Sequence, residues 1–183
     1  MTIDEQTLQQ VVSDVCSGML GLQLASVSDA IGEEADALSA VIRISGGRET
    51  LVQVLTPRNT AVTIASRMFA AREHELSEAE IRDAVGEIVN MVAGSLKGII
   101  DGASGISLPC VGESTGCSPF DDSFSGVCVV NRCQGDPLTV RVFERGTAAA
   151  ADRCCPDHFR STFLHGQFFQ RGHRHEGSGC RRQ

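Results

Sequence analysis

The sequence predicts an α+β domain: a single antiparallel β-sheet with helices packed on one face. Three observations lead there. Stretches of helical and strand character follow one another as helix, three strands, two helices, three strands. The strand candidates are dense and joined by short turns, one marked by Gly46-Gly47, which favours one sheet with antiparallel neighbours. The longest helical stretch is apolar along one side only, so it must lie on the sheet rather than be enclosed by it.

The first stretch, "DEQTLQQVVSDVCSGML" at 4–20, sets Leu8, Val11, Val12, Val15 and Met19 on one side of a helix that Gly18 and Gly21 end. "LQLASVS" at 22–28 alternates apolar and polar residues, as a half-buried strand does. Residues 37–55 form two strands around the Gly-Gly turn, and Pro57 opens a helix running to about Ala71. Ser77 followed three residues later by Glu80 is a capping box, so the next helix begins near Glu78. Its apolar face is Ile81, Val85, Ile88, Val89, Val92, Leu96 and Ile99. "GISLPCVG", "FSGVCVV" and "PLTVRVF" supply the last three strands.

Composition narrows the function classes. Residues 1–144 carry 9 basic against 20 acidic side chains, whereas 145–183 carry 7 against 3 and four of the five histidines. An acidic body lacks the basic face of a nucleic-acid enzyme, so no nucleic-acid partner is expected. No apolar run reaches the length of a membrane span and the amino terminus carries no export signal, which implies a cytoplasmic protein with no membrane partner. The eight cysteines show no C-x-x-C spacing and read as reduced thiols buried like small apolar groups. From Gly146 the helical and strand periods stop. Residues 1–145 are therefore expected to form the domain, and 146–183 an irregular, disordered tail. The tail's Cys and His residues match no usual zinc spacing, so no metal site is assigned.

One stretch poses a chemical question. "DAVGEIVNMVAGSLKGII" at 83–100 reads as a helix, yet holds Gly86, Gly94 and Gly98, each costing about 1 kcal/mol relative to alanine. Asp83, Glu87, Asn90, Gly94 and Lys97 fall within a stripe about 80° wide, nearly opposite the apolar face. Glu87 and Asn90 lie one turn apart, placing a carboxylate beside a carboxamide. A carboxylate grips a cation, and an amide holds water by donating and accepting at once. The glycines Gly86, Gly94 and Gly98 leave little side-chain bulk, so a second protein could approach the helix closely. Lys97 is either a peripheral docking charge or a solvated side chain.

The pattern D-x-x-x-E-x-x-N at Asp83, Glu87 and Asn90 resembles the signature of the CheC/CheX/FliY phosphatases of bacterial chemotaxis. "GEIVNMVAGSLKG" is similar to the active helix of the CheX type, and the likeness extends to "LTPRNTA", the "ISLP" strand and the "GMLGL" close of the first helix. It covers residues 5–145 and implies a hydrolase that removes the aspartyl phosphate of a CheY-like response regulator in two-component signalling. On that resemblance Glu87 binds a lysine of the receiver domain and Asn90 orients the attacking water. Asp83 either tunes Glu87 or supports the early helix. Mg²⁺ comes with the phosphorylated receiver, so the chain needs no cofactor of its own. The family's downstream proline corresponds to Pro109, and the presence of one motif rather than two favours the single-site CheX type. A homodimer through sheet edges is expected. The alternative is a non-catalytic receiver-binding or flagellar-switch module of the same fold.

Overall fold

The computed structural model describes residues 3–27, 36–114, 124–133 and 135–145. The expected tail, 146–183, lies outside the described residues. Helix α1 spans Glu5–Ser13 and starts where the Asp4 carboxylate accepts the Thr7 N–H at 2.8 Å. Instead of continuing as a regular helix to residue 20, the chain widens into a π-helical turn at Asp14–Met19. Gly21, at φ 62°, then ends it, and the Leu22 N–H reaches back to the Cys16 carbonyl at 2.9 Å. The widening keeps Val15 and Cys16 buried while Asp14 and Ser17 stay exposed.

Strands β1 (Leu24–Val27), β2 (Ala37–Ser45) and β3 (Thr50–Pro57) follow. The β2–β3 turn has Gly46 and Gly47 at φ 97° and 63°, values that glycine adopts without strain. Helix α2 covers Arg58–Phe69 directly after Pro57, and α3 covers Glu78–Lys97 with Gly98 as its C-cap. The capping box forms as the sequence predicts: the Ser77 Oγ accepts the Glu80 N–H at 3.3 Å and the Glu80 carboxylate accepts the Ser77 N–H at 2.8 Å. Four strands complete the chain: β4 (Gly105–Ile106), β5 (Cys110–Glu113), β6 (Phe124–Cys133) and β7 (Asp136–Arg145).

All seven strands lie in one antiparallel sheet, ordered β1-β6-β7-β3-β2-β4, with β5 also on β2. The third-last strand expected from the sequence is therefore split in two, both parts pairing with β2. The register shows why. Ile44 faces Ile106 and Val41 faces Cys110, so β2 spans the gap with Ile42 and Arg43 while its partner uses Ser107, Leu108 and Pro109. That one extra residue is a β-bulge, and Pro109, which has no N–H to donate, sits inside it.

The helices cover one face. Ala40, Ile42 and Ile44 of β2, Val52 and Val54 of β3, and Val140 and Val142 of β7 join Ile81, Val85, Ile88, Val89, Val92 and Leu96 of α3 in one buried cluster. Burying a Leu, Ile or Val here is worth roughly 1.5–3 kcal/mol each. From α1, Leu8, Val11 and Val12 add to it, and the Gln9 amide donates to the buried Asn131 Oδ1 of β6 at 2.6 Å. On the other face the buried Gln53 and Ser39 share a hydrogen bond of 2.9 Å. The cysteines follow the expectation in part. Cys16 and Cys133 are buried apolar thiols, but Cys128 is exposed and Cys110 half-buried, because both occupy alternate positions that point away from the helices.

Candidate functional site

Helix α3 carries the site, and its placement follows from its two unlike sides. With Ile81, Val85, Ile88, Val92 and Leu96 turned into the core, Asp83, Glu87, Asn90 and Gly94 are exposed on the opposite side and Lys97 is half-buried at its end. The Asn90 Nδ2 donates to Glu87 Oε2 at 3.4 Å, a long and weak bond that holds carboxylate and amide side by side. The structure thus brings Glu87 and Asn90 together, with Asp83 one turn before and Lys97 two turns beyond. Among the described residues, no group of three or more acidic, His or Cys side chains converges as a metal cage.

The glycines differ in role, which corrects the sequence reading of Gly86. A side chain on Gly94 would meet nothing within 4 Å, so its open space is available to another molecule. Gly86 is buried: a Cβ there would lie 3.2 Å from Val111 Cγ2 and 3.5 Å from Pro109 Cγ. It makes room within the chain, letting the bulged strand press against α3, and it supports the site without facing a partner. Pro109, singled out by resemblance, accordingly packs one turn before Asn90.

The start of α3 is fixed by an ionic network that sequence reasoning did not find. Arg58 of α2 makes a two-pronged contact with the Glu78 carboxylate, Arg82 donates to Glu78 at 3.0 Å and to Glu113 of β5 at 3.3 Å. The Arg58 guanidinium, with help from Arg82, holds the Glu78 carboxyl down at about 2. Only the Glu78–Arg82 pair, four apart on one helix, was visible as a sequence signal. Elsewhere, burial pushes the Cys16 thiol up to about 12 and that of Cys133 upward, so neither is a nucleophile at neutral pH.

What the stripe offers chemically is an exposed anion and an exposed amide on a rigid helix, open on one side. Among the described residues, Glu87 and Asn90 are both exposed rather than enclosed. Comparisons with known proteins agree in fold. The family model described as "Chemotaxis phosphatase CheX" matches residues 38–128. The crystal structure of a chemotaxis protein CheX from Vibrio vulnificus aligns at a TM-score of 0.62 and 21% identity, covering 75% of this chain and 93% of that one. CheX from Desulfovibrio desulfuricans aligns at 0.61 and 19%, covering 75% and 96%. The chain in a CheX–CheY–BeF3–Mg²⁺ complex from Borrelia burgdorferi aligns at 0.60 and 17%, covering 79% and 100%. No curated protein matches by sequence.

Proposed function

We propose that this chain, whose residues 38–128 match the family model of the chemotaxis phosphatase CheX and whose fold matches that of CheX structures, hydrolyses the aspartyl phosphate of a CheY-like receiver domain. The observation that carries the reading is the exposed Glu87–Asn90 pair, held at 3.4 Å on the outer side of a helix whose other side is buried. A similar chain crystallised with CheY, BeF3 and Mg²⁺ supports the choice of partner class.

In this reading the receiver covers the exposed stripe. The Glu87 carboxylate pairs with a lysine of the receiver and fixes the two surfaces in register, a charge-assisted contact strengthened as water leaves. Docking draws Glu87 away from Asn90, which frees the amide. Asn90 then holds one water through its carbonyl and NH2 groups, in line with the phosphorus–oxygen bond to the aspartate. Water attacks phosphorus, that bond breaks, and the products are inorganic phosphate and the free aspartate carboxylate. Positioning of this kind is a major part of what phosphoryl transfer requires. Mg²⁺ is assigned to the receiver. Asp83, one turn before Glu87, keeps the stripe acidic toward the incoming lysine, and Lys97 is a solvated charge complementing the helix C-terminus.

The test is the lifetime of a phosphorylated receiver with and without the full chain. Shortening of that lifetime at substoichiometric chain is expected. A chain that binds phosphorylated receivers without shortening it would instead be a docking module.

A further inference from the structure

The chain has 16 basic residues, and all but Lys97 are arginine. A cation in the last turn of a helix is favourable in its own right, but arginine serves that purpose equally well. Two observations set Lys97 apart. It stands on the same side of α3 as Glu87 and Asn90, and nothing described engages its charge. Arg82, the other cation of α3, donates to Glu78 and Glu113. Among the described residues, Lys97 makes no hydrogen bond or ion pair.

The stripe therefore has a charge order along the helix. Asp83 and Glu87 are anions, Asn90 is neutral, Gly94 has no side chain, and Lys97 is a cation. A phosphoryl group is repelled by the two carboxylates, so its place is beyond Glu87, beside Asn90 and over Gly94. That space is open: a Cβ on Gly94 would meet nothing within 4 Å. Side chains on a helix lean toward its N-terminus, which directs Lys97 over the turn that holds Gly94. At 1.5 Å per residue the Cα atoms of Asn90 and Lys97 are about 10 Å apart along the axis. An extended lysine stem covers about 6 Å of that. Its ammonium then stands within ion-pair reach of an anion held beside Asn90.

Lysine suits this task better than arginine. Its ammonium is a compact point charge on a flexible stem, with no planar fork to orient, and the bare surface of Gly94 lets the stem lie flat. Lys97 is already half-buried, so part of its stem is packed before any partner arrives. Covering the stripe with a receiver excludes water and strengthens an ammonium–phosphoryl contact.

We infer that Lys97 binds the phosphoryl group: with a phosphorylated receiver on the α3 stripe, its side chain lies across Gly94 and its ammonium pairs with the phosphoryl oxygens. This rests on the receiver-phosphatase reading. As the water on Asn90 adds to phosphorus and the bond to the aspartate oxygen breaks, the ammonium keeps its proton and neutralises charge on the departing phosphate. In the free chain the same charge is solvated. Glu87 thus takes a cation of the receiver and Lys97 its anion, and the two opposed contacts fix which way the receiver lies along α3.

The experiment uses full-length wild type, Lys97→Gln and Lys97→Arg with a receiver that the wild type dephosphorylates. Binding is titrated with that receiver with and without beryllofluoride, which stands in for the phosphoryl group, and turnover is followed by phosphate release. Lys97→Gln is expected to weaken binding of the beryllofluoride-activated receiver and to lower kcat, each on the order of 10-fold. Its affinity for the receiver without beryllofluoride should stay within about twofold of wild type. Lys97→Arg keeps the charge and should retain most of both activities. Unchanged binding and turnover in Lys97→Gln alongside an active wild type would overturn the assignment while leaving the phosphatase reading standing. Equal loss of affinity for the two receiver forms would also overturn it, by showing a docking charge that does not read the phosphoryl group. A wild type that neither binds nor dephosphorylates any receiver would remove both.

Discussion

Replacing Gly94 separates what α3 needs for stability from what it keeps for a partner. Gly94 lies within α3, outside the glycines of positive φ, so alanine fits its backbone. A Cβ there has no neighbour within 4 Å. The only change in the free protein is the helix propensity difference, about 1 kcal/mol in favour of alanine. For a domain of this size that is a rise in Tm of roughly 2–4 °C. Gly86→Ala provides the contrast: the same propensity gain is opposed by a Cβ placed 3.2 Å from Val111 Cγ2, so no comparable rise is expected. Gly94→Leu should be as stable as wild type or more so, yet it places a bulky side chain in the stripe one turn beyond Asn90. Its affinity for a beryllofluoride-activated receiver should fall at least 10-fold. Thermal melting by circular dichroism and a binding titration on the same samples provide both readouts. A Gly94→Ala protein that melts below wild type, or a Gly94→Leu protein that binds like wild type, would refute the reasoning that this glycine serves approach.

Two further outcomes follow from the charges and thiols. The Glu78 carboxyl is depressed to about 2 from 4.5, chiefly by Arg58, so its contribution is present above pH 4.5 and lost as pH falls toward 2. Because the pair is partly exposed, screening limits it to about 1 kcal/mol at most. Glu78→Gln should therefore lower stability slightly at pH 7 and flatten the pH dependence of denaturant midpoints between 4.5 and 2; an unaltered profile would contradict the network's role. In native protein at pH 8, Cys128 should react with a thiol reagent while Cys16, raised to about 12 by burial, reacts only on unfolding, as peptide mass mapping will register.

Much of the fold was legible because its signals are local and strong. The Ser77–Glu80 box placed the start of α3 at the correct residue, and the Gly46-Gly47 turn joined β2 to β3. The division of α3 into a buried and an exposed side followed from period alone and put Glu87 and Asn90 together in the open. The features that escaped are those requiring a second element. Whether Gly86 faces solvent depends on Pro109 and Val111, more than twenty residues away, and the Arg58–Glu78–Arg82–Glu113 network joins two helices and a strand. The bulge had a trace in the sequence, a proline inside an otherwise acceptable strand, but its register is set only against β2. The π-helical widening after Ser13 left no such trace, since Val15 and Met19 fit a regular helix equally well.

The central claim is that Asn90 performs the chemistry while Glu87 secures the partner. It is tested most directly by measuring binding and turnover of a single phosphorylated receiver with wild type and Asn90→Ala. Asn90 is exposed and the side-chain hydrogen bond it makes among the described residues is the long 3.4 Å contact to Glu87, so the substitution should change stability by no more than about 0.5 kcal/mol. The account predicts that Asn90→Ala binds the beryllofluoride-activated receiver about as tightly as wild type while releasing phosphate on the order of 10²-fold more slowly. Equal rates of release by the two proteins, or an Asn90→Ala variant that unfolds, would contradict it.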